Sequence, residues 1–321
     1  MQFYFKNPLQ DRLFFKTISI INLSYWIASD AHNYASEHTK DINKYEYDRL
    51  KSQYNLATNL FEESKNLSQF LEGDHAECAN LVLRHISFTL QSYRIDKIFM
   101  PDAIDKEIHE VDVHDAIFDE EVFYQEYKKF LIPGDLETDF VESEMFFGES
   151  CIKMIKFLKN EYENHNDAAE DCRDIIDGVM SARLIMENGI KNNLYKESLE
   201  REYSIFYEDA WRPKPHSFHD YYETSMDYLD FWRDYYTVHE QHYKRFFDEI
   251  TSEDESKAES DFFYQTIEQY TLIMHKKAIE INLMILENLG VEVPPFEIYS
   301  ARKITSPIDF LQHKIGSRVS K

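Results

Sequence analysis

Apolar residues recur three and four positions apart along most of the chain, which is the spacing that lines one face of an α-helix. The longest such stripe runs from Phe263 to Leu289 and ends at Gly290, a residue type that commonly terminates helices. Another stripe predicts a helix that is capped by Asp41 and stopped by Gly73. By the same signals the sequence predicts further helices at residues 8–38, 75–99, 118–131, 136–163, 167–188, 190–210 and 217–250.

No segment alternates apolar and polar residues over the length of a strand, so the sequence predicts no β-strand. Glycine and proline are scarce, at 7 and 8 of the 321 residues, whereas 24 Phe and 22 Tyr supply an ample core. We therefore predict an all-α fold, made of stacked helical hairpins or an irregular helical bundle without a sheet. One body over residues 1–321 is the simplest organisation, and a break at 213–215 allows a division into 1–212 and 216–321.

The cysteines and the N-terminal segment bear on the compartment. The three cysteines form no CxxC pair, which favours a reducing cytoplasm. The apolar stretch from Phe3 to Ile27 is interrupted by Arg12 and Lys16, so we do not expect a signal peptide. No uncharged apolar run reaches 18 residues, so no membrane span is expected either.

Acidic side chains dominate the charge of the chain. Its 60 Asp and Glu against 35 Lys and Arg give a formal net charge of −25 at pH 7. Such a polyanion repels phosphate, so we do not expect DNA to be its ligand. The acid concentrates in residues 102–121 and again in 251–261, which are either solvated loops or a partner-binding surface. We predict that both segments form a partner-binding surface. Its binding residues are Asp105, Glu107, Glu110, Asp112, Asp115, Glu120, Glu253, Asp254 and Glu255.

A helical bundle rich in carboxylates also raises the possibility of a di-metal site. Ferritin-like oxidases need two Glu-x-x-His pairs, and only Glu72 with His75 has that spacing. Glu268 and His275 match the first ligands of the heme-oxygenase-like di-metal oxidases, but the downstream histidine helix of that family is missing. We therefore predict no metal ligands and no cofactor, and keep a carboxylate-bridged di-metal oxidase only as a third hypothesis.

An alternative enzymatic interpretation comes from Arg233 and His239, which are separated by five residues. This spacing resembles the Arg-x(4–6)-His signature of the all-helical HEPN ribonucleases. The resemblance implies that His239 transfers protons while Arg233 stabilises charge on the phosphate. The motif is short and acidic residues surround it, so a HEPN-type ribonuclease remains the alternative hypothesis.

The C-terminal third shows a looser pattern of its own. A helix ends in His239–Tyr243, a charged turn and a long helix follow, and the chain then runs through Leu289–Pro295. Over residues 217–296 this order resembles the C-terminal end of helical immunity proteins from bacterial polymorphic-toxin systems. The resemblance implies a cytoplasmic, acidic protein that neutralises a cognate toxin by binding it and needs no catalytic residues. We therefore predict inhibition by occlusion of a basic-faced toxin, with the partner's identity and the oligomeric state left open.

Overall fold

The structure, a computed structural model, describes residues 7–99, 122–131, 135–158, 165–206, 214–250 and 257–302. Over these ranges the chain is all-α, which confirms the predicted fold class, and no β-strand occurs in them. The helices are α1 (Pro8–Glu37), α2 (Lys44–Ser68), α3 (Gly73–Ser92), α4 (Ile95–Phe99), α5 (122–127), α6 (Leu136–Leu158), α7 (His165–Lys191), α8 (Tyr195–Phe206), α9 (Phe218–Ile250) and α10 (Lys257–Asn288). None of the helices in the described ranges combines the length and the apolar character that crossing a bilayer demands.

Two helices, α1 and α10, connect the rest of the body. Helix α1 packs against α2, α3 and α10, and α10 packs in turn against α9. Helices α6 and α7 form a hairpin whose second helix also packs on α9. Ile20, Ile27 and Leu286 are fully buried in an apolar cluster to which α1, α2, α3 and α10 contribute. Helices from both sides of the break at 213–215 are therefore in contact.

The ends of α2 differ from those predicted, for local reasons. Its N-cap is Asn43 rather than Asp41, because the Asn43 side chain accepts a hydrogen bond from the backbone N–H of Glu46 at 3.0 Å. The helix ends at Ser68, and Gly73 begins α3 instead of stopping α2. Gly73 has a φ of 56°, a left-handed conformation that glycine adopts at no steric cost.

A glycine inside α7 marks a close tertiary contact and does not end the helix. Gly189 lies within α7, and the turn that follows is made by Asn193, whose φ is 53°. The N–H of Leu194 donates to the carbonyl oxygen of Gly189 at 3.0 Å, which closes the helix end in the way that a C-terminal glycine usually does. A Cβ atom at position 189 would overlap the ring of Tyr195, so the glycine lets that ring lie directly on the helix.

Gly189→Ala is expected to lower the free energy of unfolding by about 2 kcal/mol, because the added methyl group overpacks a tight contact. Tyr195 cannot retreat freely, since its side chain is fully buried and its hydroxyl donates to Asp139 at 3.0 Å. Denaturant titration followed by circular dichroism measures the loss. Gly148→Ala in α6 is the matched control: no atom beyond its own stretch of helix lies within 4 Å of the new Cβ, so helix propensity should raise stability by up to about 1 kcal/mol. Equal effects of the two substitutions would contradict the close packing at Gly189.

A carboxylate in the middle of α1 holds the segment that follows α10. Asp30 is buried, and its oxygens accept hydrogen bonds from the backbone N–H groups of Tyr299 at 2.6 Å and Ser300 at 2.8 Å. A second tie comes from α2, where the Gln53 side chain donates to the carbonyl oxygen of Glu297 at 2.7 Å. The chain after α10 is thus fixed to the two first helices by side chains that satisfy its backbone groups.

Candidate functional site

The acidic residues that the sequence nominates for partner binding lie outside the described residues. The structure therefore places none of them, and their role stays a prediction. They are Asp105, Glu107, Glu110, Asp112, Asp115, Glu120, Glu253, Asp254 and Glu255.

Helix α9 carries a separate set of acidic side chains on the face turned away from the core. Its buried face includes Tyr221, Ser225, Leu229, Trp232, Tyr236, His239 and Tyr243, and Val238 and Glu240 are buried as well beyond the end of the acidic stretch. With a turn of about 100° per residue, the opposite face holds five carboxylates spaced three and four apart. We call these residues the acidic line: Asp220, Glu223, Asp227, Asp230 and Asp234. At a rise of about 1.5 Å per residue, the acidic line is about 21 Å long.

The acidic line is exposed and only partly neutralised. Four of its side chains are between 39% and 64% exposed, namely those of Glu223, Asp227, Asp230 and Asp234. Arg233 pairs with Asp230 at 2.6 Å and with Asp234 at 2.8 Å, and Lys277 of α10 pairs with Asp227 at 2.9 Å. Among the described residues, the five carboxylates face these two cations and His219, which lies 3.9 Å from Glu223, so a negative excess remains along the line.

The first member of the acidic line also fixes the start of α9. The N–H of Asp220 donates to Oγ of Ser217 at 3.2 Å, and the Asp220 carboxylate accepts from the N–H of Ser217 at 2.9 Å. This reciprocal pair is a capping box in which an aspartate takes the acidic position. The bonds from Ser217 hold the pKa of the Asp220 carboxyl below its usual range, so that carboxyl stays ionised near neutral pH.

His239, the nominated acid–base residue of the ribonuclease hypothesis, lies in the core. Its ring packs edge-on against Phe147, Tyr235 and Tyr243, with centroids 5.0, 4.4 and 5.6 Å away. Neither ring nitrogen has a hydrogen-bond partner among the described residues. Burial lowers the pKa of His239 to about 3, with a smaller contribution from His242, so the imidazole is neutral near pH 7.

Arg233 lies on a different side of the same helix. His239 is six positions further along the chain, which places the two side chains about 120° apart around the axis of α9. Its guanidinium is occupied by Asp230 and Asp234 of the acidic line. A general acid or base works best with a pKa near the operating pH, and a phosphate needs an available cation. The structure does not bring Arg233 and His239 together and gives the ribonuclease hypothesis no support.

The histidines of the two candidate metal patterns, His75 and His275, make other interactions. The Nε2–H of His75 donates to the Asp11 carboxylate at 2.7 Å, and both side chains are buried. His275 packs against Trp26 with centroids 5.0 Å apart, and burial lowers its pKa to about 4. In the part of the chain that the structure describes, no group of three or more His, Cys, Asp or Glu could hold a metal ion. The di-metal hypothesis therefore finds no site there.

A cavity of about 310 Å³, here called the central cavity, lies among α1, α6, α8, α9 and α10. Its walls are largely apolar and include the rings of Phe14, Trp26, Phe140 and Tyr228. Polar side chains from all five helices also line it: Ser19, Asn22, Glu137, Glu202, Tyr221, Ser225 and Asn282. The described lining residues include two carboxylates and no Lys, Arg or His.

The two glutamates of the central cavity are held by tyrosines. The hydroxyl of Tyr221 donates to Glu202 at 2.8 Å, and that of Tyr127 donates to Glu137. Burial, together with the charge of Glu137, raises the pKa of Glu202 to about 7. Burial also raises the pKa of Glu137. Both carboxyls therefore lie in an environment that stabilises a negative charge poorly.

Sequence reasoning missed the central cavity, although one signal was present. Glu202 follows Leu199 and Tyr195 at spacings of three and seven, so a carboxylate occupies the apolar stripe of α8. An ionisable group in such a stripe is a candidate for function. Comparison of the chain with protein-family models, curated proteins and solved structures found no match. Within the described residues, the acidic line and the central cavity are features that bear on function.

Proposed function

We propose that this protein acts by binding a partner with a basic surface, and that the acidic line of α9 is part of the contact. The observation that carries this proposal is the placement of the acidic line, directly opposite the buried face of a 33-residue helix. The specific form that we propose is an immunity protein of the cytoplasm, which neutralises a cognate bacterial toxin by covering its active site.

The geometry of α9 suits recognition. Because its other face is buried against α7, α8 and α10, the helix is fixed before a partner arrives. A fixed row of charge loses little conformational entropy on binding. The acidic line and the net charge of −25 both attract a basic surface by long-range electrostatics and orient it during approach. Its length of about 21 Å is enough to extend along a cleft that accommodates a nucleic-acid strand.

The absence of an assembled catalytic pair also favours binding over catalysis. In the described ranges, Arg233 is committed to two aspartates and His239 is enclosed by aromatic rings. An inhibitor that acts by occlusion needs neither residue in an accessible position. The likeness of residues 217–296 to helical immunity proteins is consistent with this proposal.

Reversing charge along the acidic line is expected to weaken the partner complex. For a partner recovered by cross-linking, the variant Asp227→Lys with Asp230→Lys should bind at least about tenfold more weakly near 0.1 M salt, because two attractive contacts become repulsive. The affinity of the unchanged protein should itself fall as salt is added. Surface plasmon resonance measures both effects, and a growth assay with co-expressed toxin reports whether protection is lost.

A matched control separates the acidic line from bulk charge. Glu62→Lys with Glu63→Lys changes the net charge equally on α2, and is expected to leave affinity within about a factor of two at the same salt. Reversal across Asp105, Glu107, Glu110 and Asp112 tests the predicted acidic segment in parallel. If the α9 and α2 variants bind alike, the acidic line is not the contact. A recovered partner without a basic surface would contradict the proposal as a whole.

A further inference from the structure

The central cavity carries an inference that goes beyond the proposed function and does not depend on it. Its volume of about 310 Å³ falls at the lower end of the range found for small-molecule sites. Five helices contribute to its walls, so the cavity depends on the tertiary packing of the bundle and opens to solvent on one side. Its polar groups are few and come from different helices, which is typical of a site that orients a ligand.

The charges in the central cavity are unbalanced. Glu137 and Glu202 both line it, and the described lining includes no basic side chain that could neutralise them. Arg201, the neighbour of Glu202 in α8, pairs with Asp135 at 2.5 Å. Both side chains are partly exposed, and a carboxylate that has lost part of its water is stabilised by a nearby cation, because its desolvation is costly. A ligand that brings a positive charge would supply the missing partner.

The hydrogen-bonding groups also have unused capacity. Glu202 accepts one hydrogen bond from Tyr221, whereas an ionised carboxylate has about four acceptor positions. Ser225 is 4% exposed, and its Oγ has no hydrogen-bond partner in the described structure. A buried hydroxyl that lacks a partner costs free energy, and a ligand in the cavity could complete its hydrogen bonding.

The apolar walls define the rest of the ligand. Trp26, Phe140 and Tyr228 surround the cavity with aromatic surface, which packs against an apolar body and also attracts a cation over the ring face. An anion would be repelled by the two glutamates, and the described residues offer no set of three ligands for a metal ion. We propose that the central cavity binds a small primary amine on an apolar body, whose ammonium group is neutralised by Glu137 and Glu202.

A charge series of similarly shaped probes tests this site in the full chain. 2-Phenylethylamine, 2-phenylethanol and 3-phenylpropionate share a phenyl ring and a two-carbon arm, and differ in charge. By calorimetry at about pH 8, the amine is expected to bind at least about tenfold more tightly than the alcohol, and the carboxylate not at all. Equal binding of amine and alcohol, or binding of none of the three, would overturn the proposal.

Substitutions then locate the binding. Glu202→Gln is expected to lower the affinity for the amine at least about tenfold, because it removes the charged contact. The affinity for the alcohol should stay within a factor of about two. Glu223→Gln removes a carboxylate from the acidic line instead, and should leave the amine unaffected. Ala278→Phe narrows the cavity and should abolish binding of amine and alcohol alike. If the amine still binds with unchanged affinity to both Glu202→Gln and Ala278→Phe, the binding site is not the central cavity. If a variant fails to fold, the comparison of the three probes on the unchanged protein still tests the proposal.

Discussion

Asp30→Ala is expected to lower the free energy of unfolding by about 4 kcal/mol, because it leaves two buried backbone N–H groups without acceptors. Those groups belong to Tyr299 and Ser300, which the carboxylate holds at 2.6 and 2.8 Å. Chemical denaturation measures the loss, and hydrogen exchange at the two amides should accelerate by a larger factor than exchange elsewhere in the protein. The segment after α10 is then expected to detach before the helices unfold.

Two further variants establish the cause. Asp30→Asn keeps one acceptor oxygen, so one of the two backbone N–H groups still has a hydrogen-bond acceptor. It should lower the free energy of unfolding by about 2 kcal/mol, roughly half as much as Asp30→Ala. Asp48→Ala removes an exposed carboxylate from α2 and should change stability by less than about 0.5 kcal/mol. An Asp30→Ala protein that unfolds at the same denaturant concentration as the parent would show that this carboxylate does not hold the segment.

Acidification from pH 7 to pH 4 is expected to cost about 3 kcal/mol of unfolding free energy through His239 alone. Its pKa is about 3 in the folded protein and about 6.5 in the unfolded chain, so the unfolded state takes up the proton first. The stabilisation is therefore complete above about pH 6.5 and is lost as pH falls towards 3. His275, with a folded pKa of about 4, acts in the same direction.

His239→Phe isolates this contribution, since phenylalanine suits the surrounding aromatic rings and cannot be protonated. Denaturant midpoints measured at pH 7 and pH 4 should differ less in the variant than in the parent. His219→Phe is the control: that histidine is 78% exposed, and its replacement should leave the pH dependence unchanged. An unaltered pH dependence in His239→Phe would mean that the ring is not buried in its neutral form. RNA cleavage by the parent that the same substitution abolishes would instead restore the ribonuclease hypothesis.

The fold class could be predicted because helices impose a spacing that is visible in the sequence. The stripe that ends at Gly290 became α10, and the N–H of Val291 donates to the carbonyl oxygen of Leu286 at 2.8 Å in the expected helix-ending turn. Helix ends set by side-chain contacts were harder to predict. Asn43 competes with Asp41 as a cap only two residues away, and the role of Gly189 depends on a ring that tertiary packing brings over it.

The candidate sites were less accessible to sequence reasoning, for different reasons. The members of the acidic line are separated by uncharged residues and by Arg233, so they stand out as one row only after the buried face of α9 is known. The central cavity depends on side chains from five helices between Phe14 and Ile285, which no local pattern relates. The short Arg233–His239 motif shows the opposite failure. The spacing matches a known signature, but the two side chains lie in different environments in the fold.

The hydrogen bond from Ser300 to Asp30 also constrains the order in which the protein can fold during synthesis. The two residues are 270 positions apart, so at about 5 to 20 residues per second a ribosome makes the partner roughly 15 to 50 seconds after the carboxylate. During that interval the apolar face of α1 lacks α10 as well. Helix α1 is therefore made well before the segment that completes its native surroundings, and its apolar face stays exposed to association until translation has passed residue 300.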